Sequence, residues 1–198
     1  HHLLKRIERI LNRTVQTLQT QLQKGQFLPE AFEVSFDVLE DLDALNIALS
    51  EKEKVRLRGR IDRVDIAETE DRVYVKVIDY KSGQRRFDLA ALYYGLQLQL
   101  VVYMNAAVEL VQKKHPDKDV VPAAMLYYRV SDPVAEGDNL TPEEINAQIL
   151  QELKMTGIVN RNDEAVTMLD GEFTDKSDIL PLERIKDGSL SAVSSVIS

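Results

Sequence analysis

The stretch that decides the fold is Arg72-Val-Tyr-Val-Lys-Val-Ile-Asp-Tyr-Lys81, followed directly by Ser82-Gly83. Its alternating apolar residues are typical of a β-strand, and the Ser-Gly pair ends the strand. Because side chains two apart in a strand point to one face, Asp79 and Lys81 project together beyond Val77. A carboxylate and an ammonium at a strand end suit a divalent metal beside a charge-stabilising group. A solvent-exposed ion pair is the competing interpretation, and D-x-K alone favours it.

The strand before this one carries a second acidic residue in an apolar setting. Residues 55–67, VRLRGRIDRVDIA, also alternate, and the short charged segment 68–71 predicts a long β-hairpin. Asp62 then lies on the strand next to Asp79, and two acids on adjacent strands suit one hard cation such as Mg²⁺.

Arginines precede Asp62 along the same strand. In a regular strand Arg58 and Arg60 share a face with Asp62 and form a basic strip suited to a phosphate backbone. The alternative is that they solvate an edge strand. A bulge at Gly59 would change which way they face.

A helix is predicted from the cap residue Asp88 to about Lys114. Gln99 and Tyr103 are four residues apart on one face of it, among apolar residues. A buried amide needs partners, so Gln99 either bonds local backbone, the commoner case, or points into a site.

The remaining pattern predicts one mixed sheet flanked by helices, in the α/β or α+β class. We expect helices at 3–24, 141–155 and 162–170, strands at 32–38 and 120–130, and a loop at 40–54. Residues 171–198 are weakly patterned. The chain is expected to be a single domain over 1–198, with a core at about 3–133 and helical additions at 134–198.

Composition narrows the function classes. The 198 residues include 25 basic and 33 acidic side chains, for a net charge of −8. This balance argues against a protein that coats nucleic acid, but it allows a nuclease with a local basic strip. The absence of cysteine excludes disulfides, Cys-ligated zinc and Cys-ligated iron–sulfur clusters within the chain. No membrane span or signal-peptide pattern is present, so a cytoplasmic domain without a membrane partner is expected.

The sequence resembles the PD-(D/E)xK nuclease superfamily in three elements taken together. They are, in chain order, Asp62, D-x-K at 79–81 and Q-x-x-x-Y at 99–103. The predicted element order also resembles its restriction-endonuclease-like αβββαβ core. Four segments of the sequence are similar to the B-subunit family of AddAB-type ATP-dependent helicase–nucleases. They are GRIDRVD (59–65), VIDYKSG (77–83), GLQLQLVVY (95–103) and PAAMLYYRVSDP (122–133). The likeness runs from about Arg6 through Pro133.

This resemblance implies a deoxyribonuclease that uses Mg²⁺ or Mn²⁺ and processes double-strand ends for recombinational repair with a helicase–nuclease A subunit. It implies metal binding by Asp62, Asp79 and the Tyr80 carbonyl, and charge stabilisation by Lys81. Gln99 and Tyr103 would support the site. The expected DNA contacts are Arg58, Arg60, Arg63 and Arg85.

Two departures from the family pattern keep alternatives open. The family has a metal-binding His upstream of the first strand, and residues 3–28 contain none. Its iron–sulfur cluster is held by cysteines, so a cluster is expected only in a longer, full-length protein. The alternatives are a module that guides single-stranded DNA or joins subunits without cleaving, and a stand-alone CRISPR-associated type of exonuclease.

Overall fold

The computed structural model describes residues 2–41, 54–83, 87–94, 97–191 and 196–197. Its elements are, in chain order, α1 (His2–Lys24), β1 (Leu28–Asp41), β2 (Lys54–Glu68), β3 (Arg72–Lys81), α2 (Leu89–Tyr93), α3 (Gln99–Lys114), β4 (Asp119–Arg129), α4 (Pro142–Glu152), β5 (Thr156–Asn160), α5 (Asp163–Leu169) and β6 (Val196–Ile197). The strands form one sheet in the order β1-β2-β3-β4-β5-β6. The predicted 40–54 loop falls mainly on residues 42–53, which lie outside the described residues.

The sheet is mixed, which confirms the predicted α/β class. β3 pairs with β2 antiparallel, as the predicted hairpin requires, and with β4 parallel. A parallel pair needs a crossover connection, and the segment carrying α2 and α3 supplies it. Strand β3 is buried from Val73 to Asp79. Burial on both faces explains why its sequence is so strongly apolar.

Two apolar clusters cover the two faces of the sheet. On one face, α3 packs through residues such as Leu100, Met104 and Val111 against Val75 and Val77 of β3. On the other face, residues from α5 and from the segment 179–182 pack against Tyr74, Ile78, Leu126 and Tyr128, and Phe27 joins them. The odd-numbered residues of β3 therefore face α3, and this places Asp79 and Lys81 on the α3 side.

The helix predicted from Asp88 to Lys114 is two helices. Asp88 caps α2 as expected, because its side chain accepts hydrogen bonds from the backbone N–H groups of Ala90 and Ala91. The helix α2 ends at Tyr93, and α3 begins only at Gln99. Between the two helices, the described residues Tyr94, Gln97 and Leu98 form turns.

The region 134–198 differs from the helical additions that the sequence predicted. It contains α4 and α5 but also β5, which extends the sheet by pairing antiparallel with β4. The segment after α5 is irregular and contributes Ile179, Leu180 and Leu182 to the core. Strand β5 has only five residues and only two large apolar ones, too few to show alternation.

Replacing Gly157 with alanine is expected to destabilise the sheet at β5. Gly157 has φ +144°, and a Cβ there would lie 2.2 Å from the Met125 carbonyl oxygen. Backbone strain and this collision should lower the free energy of unfolding by about 2 kcal/mol or more, measured by urea denaturation. Gly83→Ala is the control, because a Cβ at Gly83 meets nothing within 4 Å. Equal denaturation midpoints for the two variants would contradict the expectation.

Candidate active site

The two acidic residues Asp62 and Asp79 meet where β2 and β3 stop pairing. The regular backbone register between these strands ends at Arg63 opposite Ile78. Just beyond it, the Tyr80 backbone N–H donates to Asp62 Oδ2 at 2.8 Å. Asp62 therefore fills a backbone hydrogen-bonding position at the strand end, and its charge lies close enough to raise the pKa of Asp79.

Asp79 begins a connected set of polar side chains. Lys81 Nζ lies 2.6 Å from Asp79 Oδ2. The same ammonium donates to Gln99 Oε1 at 2.9 Å. The Gln99 amide nitrogen donates to Tyr103 OH at 2.7 Å and to Asp79 Oδ1 at 3.3 Å. The structure thus brings together all five residues that the sequence proposed as catalytic.

The burial of Asp79 argues against the competing interpretation of D-x-K as a solvent-exposed ion pair. The Asp79 residue is only 3% exposed, whereas an ordinary surface ion pair leaves both partners in water. Gln99 likewise bonds other side chains of the set, so the commoner alternative of a bond to local backbone does not describe it.

Packing holds Tyr103 and Lys81 in place. The Tyr103 ring meets Phe36 of β1 edge-on, with ring centroids 5.6 Å apart. A Cβ on Gly59 would lie 3.3 Å from the Tyr103 ring and 2.6 Å from that of Phe36, so only glycine allows this approach. Lys81 Nζ lies 5.3 Å from the centre of the Tyr127 ring, within range of a cation–π contact.

The carboxyl of Asp79 is less acidic than an ordinary aspartate. Burial is the largest cause that raises its pKa, and the nearby Asp62 charge raises it further, while Lys81 acts in the opposite direction. The folded chain therefore binds a proton at Asp79 more readily than the unfolded chain. It follows that ionised Asp79 costs stability at neutral pH, and that this cost decreases as the pH falls below the raised pKa and is gone below the ordinary value of 3.8.

We expect Asp79 to titrate above 3.8, the ordinary value for aspartate, in the metal-free protein. The measurement is the ¹³C shift of its carboxyl carbon against pH, with Asp79→Asn used to assign the signal. In Lys81→Met the midpoint should rise further, because Lys81 lowers the pKa of Asp79. A midpoint that stayed in place or fell in Lys81→Met would contradict this account of the site.

The donor set at this point fits a hard divalent cation. Asp79 Oδ2 is buried and makes no aligned hydrogen bond with the described residues, although Lys81 Nζ is near it. Asp62 contributes a second carboxylate. Within the described ranges, no group of three His, Asp or Glu side chains gathers as metal ligands. Two carboxylates suffice for Mg²⁺, which commonly keeps several waters. The Tyr80 carbonyl stays a prediction as third ligand.

Arg63 does not reach this site. The Arg63 residue is 4% exposed, and its side chain lies on the opposite face of the sheet, where its guanidinium bonds both oxygens of Asp65 at 2.5 and 2.8 Å. Lys76 Nζ lies 2.9 Å from the same carboxylate. Arg63 is therefore part of a buried ion cluster with Asp65 and Lys76, and the prediction that it contacts DNA is wrong.

Arg58 and Arg60 face away from Tyr103, contrary to the strip expected beside Asp62. Glu33 of β1 has φ 53°, and the pairing of β1 with β2 passes from Phe32–Arg63 to Val34–Ile61 without it. This irregularity shifts the alternation, because Ile61 and Gly59 now lie on the α3 side.

The exposed arginines are paired with carboxylates instead. Arg60 Nε lies 2.7 Å from Glu33, and Arg58 Nε lies 3.1 Å from Asp37. They fit the alternative in which they are solvated at a strand edge, because the part of β2 that carries them pairs with β1 and not with β3. Arg85, the fourth expected DNA contact, lies outside the described residues.

Comparison with known proteins agrees with this geometry. The sequence model of the PD-(D/E)XK nuclease superfamily matches residues 1–178. The chain belongs to the PD-(D/E)XK nuclease superfamily. This membership confirms the resemblance on which the expected fold rested, and the mixed sheet with flanking helices is consistent with a restriction-endonuclease-like fold.

Curated relatives of the chain share one name. The chain is similar to the B subunits of the ATP-dependent helicase/deoxyribonucleases from Lachnoclostridium phytofermentans, at 41% identity over 98% of the chain, and from Alkaliphilus oremlandii, at 37% over 99%. The protein of the same name from Clostridium acetobutylicum is 38% identical over 93% of the chain. The chain spans 16 or 17% of the length of these relatives. The part of these relatives that it spans is the part similar to a chain that matches the nuclease superfamily model over residues 1–178.

Proposed function

We propose that this chain is the metal-dependent deoxyribonuclease domain of a helicase–nuclease and hydrolyses phosphodiester bonds at DNA ends. The observation that carries the proposal is the set in which Gln99 bonds both Lys81 and Asp79 while Asp62 lies beside them. A carboxylate pair next to a fixed ammonium suits a phosphoryl centre, where negative charge develops as the bond breaks.

Each residue of the site has a distinct proposed role. Asp62 and Asp79, with the Tyr80 carbonyl, would hold the cation. Lys81 orients the attacking water and stabilises charge on a phosphate oxygen. Gln99 keeps the Lys81 ammonium in place through the bond from Nζ to its amide oxygen.

A bound Mg²⁺ or Mn²⁺ supplies Lewis-acid chemistry, lowering the pKa of a water and neutralising phosphate charge. Tyr103 restrains Gln99 in turn through the hydrogen bond that its hydroxyl accepts.

The name that the relatives share supports a proposal for the larger setting. We propose that the domain works within a longer B subunit, alongside an A subunit and on DNA, in repair and recombination in the cytoplasm. None of the described helices is both long and apolar enough to cross a bilayer. An iron–sulfur cluster is proposed only for the longer protein, because this chain has no cysteine.

The test is cleavage of a linear single-stranded oligodeoxynucleotide by the 198-residue chain with Mg²⁺, with Mn²⁺ and with EDTA. We expect metal-dependent cleavage that Asp62→Asn removes. Asp117→Asn is the matched control, since Asp117 is exposed in the turn before β4, at the opposite end of that strand from the site. Cleavage that persists in Asp62→Asn or in EDTA would overturn the proposal.

The second candidate is a module that guides DNA without cleaving it. The net charge of −8 and the absence of a third acidic or imidazole ligand among the described residues favour it. Mn²⁺ titration separates the two functions. Saturable Mn²⁺ binding that Asp62→Asn abolishes supports the nuclease, whereas DNA binding without any Mn²⁺ binding supports the guiding module.

A further inference from the structure

A cavity of about 350 Å³ opens directly beside Lys81. The end of β4 forms one wall through Tyr127 and Arg129, and the segment that links α4 to β5 forms another through Lys154. Its volume falls in the range of about 300–1,000 Å³ typical of small-ligand sites. Of the residues with a proposed catalytic role, only Lys81 lines this cavity.

Arg129 is the cation in this cavity for which the described part of the chain offers no partner. Arg129 lies directly opposite Lys81 in the parallel pairing of β3 with β4, so both side chains emerge on the same face of the sheet. Lys81 is already engaged by Asp79 and Gln99. Lys154 Nζ donates to the Ser177 carbonyl at 2.5 Å. The half-buried Arg129 guanidinium makes no hydrogen bond or ion pair with any residue that the structure describes.

The charge of the cavity is opposite to that of the chain. Lys81, Arg129 and Lys154 line it, against the single carboxylate of Glu152. The chain as a whole carries −8. An unpaired guanidinium is a planar group of donors that matches the oxygens of a phosphate. A local excess of positive charge in an acidic protein favours a polyanionic ligand.

We propose that this cavity binds one phosphodiester group of the DNA strand, adjacent to the phosphodiester group that is cut. Arg129 is its main contact. This inference rests on the proposed nuclease function, because the neighbouring Lys81 faces the bond that is cut. Lys154 adds attraction at longer range. The cavity thereby fixes where the strand lies relative to Asp79, which makes Arg129 a substrate-binding residue outside the family's D-x-K and Q-x-x-x-Y motifs.

The test is binding of a fluorescein-labelled single-stranded oligodeoxynucleotide by the 198-residue chain in EDTA, followed by anisotropy at several salt concentrations. Arg129→Gln should weaken binding by about tenfold and reduce the slope of log affinity against log salt by about one. Arg129→Lys should recover part of the loss. Arg161→Gln is the matched control, because Arg161 is exposed at the opposite end of β5 and should leave affinity unchanged.

The outcomes separate this inference from the nuclease proposal. If the chain binds the oligonucleotide but never cleaves it, while Arg129→Gln binds more weakly, the cavity binds a DNA phosphate as inferred, but the nuclease proposal, and with it the position beside a cut bond, fails. If Arg129→Gln binds and cleaves as the unmodified chain does, the cavity assignment is overturned. Absence of any DNA binding by the unmodified chain also overturns it. Equal thermal unfolding midpoints show that the variants are folded.

Discussion

Lys81→Met is expected to lower the rate of DNA cleavage by about 10²–10³-fold while Mn²⁺ binding persists. Methionine keeps the length and apolar body of the side chain but removes the ammonium that contacts Asp79 and Gln99. Loss of one fixed donor at a developing negative charge has an effect of this size. The measurement is the single-turnover cleavage rate beside a Mn²⁺ titration of the same preparation.

Control variants make this expectation specific to Lys81. Lys113→Met removes an ammonium from an exposed pair with Glu109 on α3, away from Asp79, and should leave the rate unchanged. The pH of the assay matters, because loss of Lys81 raises the pKa of Asp79. Rates are therefore compared at pH 8, far above the ordinary aspartate pKa of 3.8, to favour the ionised carboxyl in both proteins. A Lys81→Met protein with an unchanged rate at this pH would show that Lys81 has no part in the chemistry.

Asp65→Asn is expected to lower the free energy of unfolding by about 3–5 kcal/mol. Asp65 is fully buried and is shared by Arg63 and Lys76, both almost fully buried themselves. Asparagine has nearly the same shape, so the variant removes the charge and leaves two cations in an apolar setting. The loss is a large part of the 5–15 kcal/mol that folded domains of this size have.

The comparison for Asp65 is an aspartate in an exposed ion pair. Asp37→Asn breaks the pair with Arg58, whose side chain is 66% exposed, and should change the free energy of unfolding by less than about 1 kcal/mol. Urea denaturation of the two variants measures the difference directly. If Asp65→Asn cost no more than Asp37→Asn, the buried cluster would contribute little to the stability of the sheet.

Alternation in the sequence was sufficient to predict most of the sheet. Strands β2 and β3 are long, and their apolar residues repeat with period two, whereas β4 is a continuous apolar run that is buried on both faces, so the positions of all three follow from the sequence pattern. That Asp79 and Lys81 share a face follows from the same rule, whereas their assignment to a site rested on the family resemblance. Gln99 and Tyr103 follow from helical spacing. These periodicities depend on local backbone geometry, which a sequence carries directly.

Features set by tertiary contacts could not be predicted in this way. The facing of Arg58 and Arg60 depends on the irregularity at Glu33, a residue on a different strand. The role of Arg63 depends on Asp65 and Lys76, which pair directly across the hairpin. Comparing the charges of residues that face each other across the predicted hairpin would have indicated the buried cluster. No such signal marks the cavity at Arg129, because its walls come from segments distant in sequence.

The hydrogen bond from the Tyr80 backbone N–H to Asp62 has a practical consequence for following the site. An amide proton held by one side chain exchanges with solvent only when that side chain releases it. The exchange rate at Tyr80 therefore reports the position of the Asp62 carboxylate, even in variants that cleave nothing. Deuterium uptake at this single amide, with and without Mn²⁺, would show whether metal binding strengthens or weakens the hydrogen bond between Tyr80 and Asp62, where β2 and β3 stop pairing.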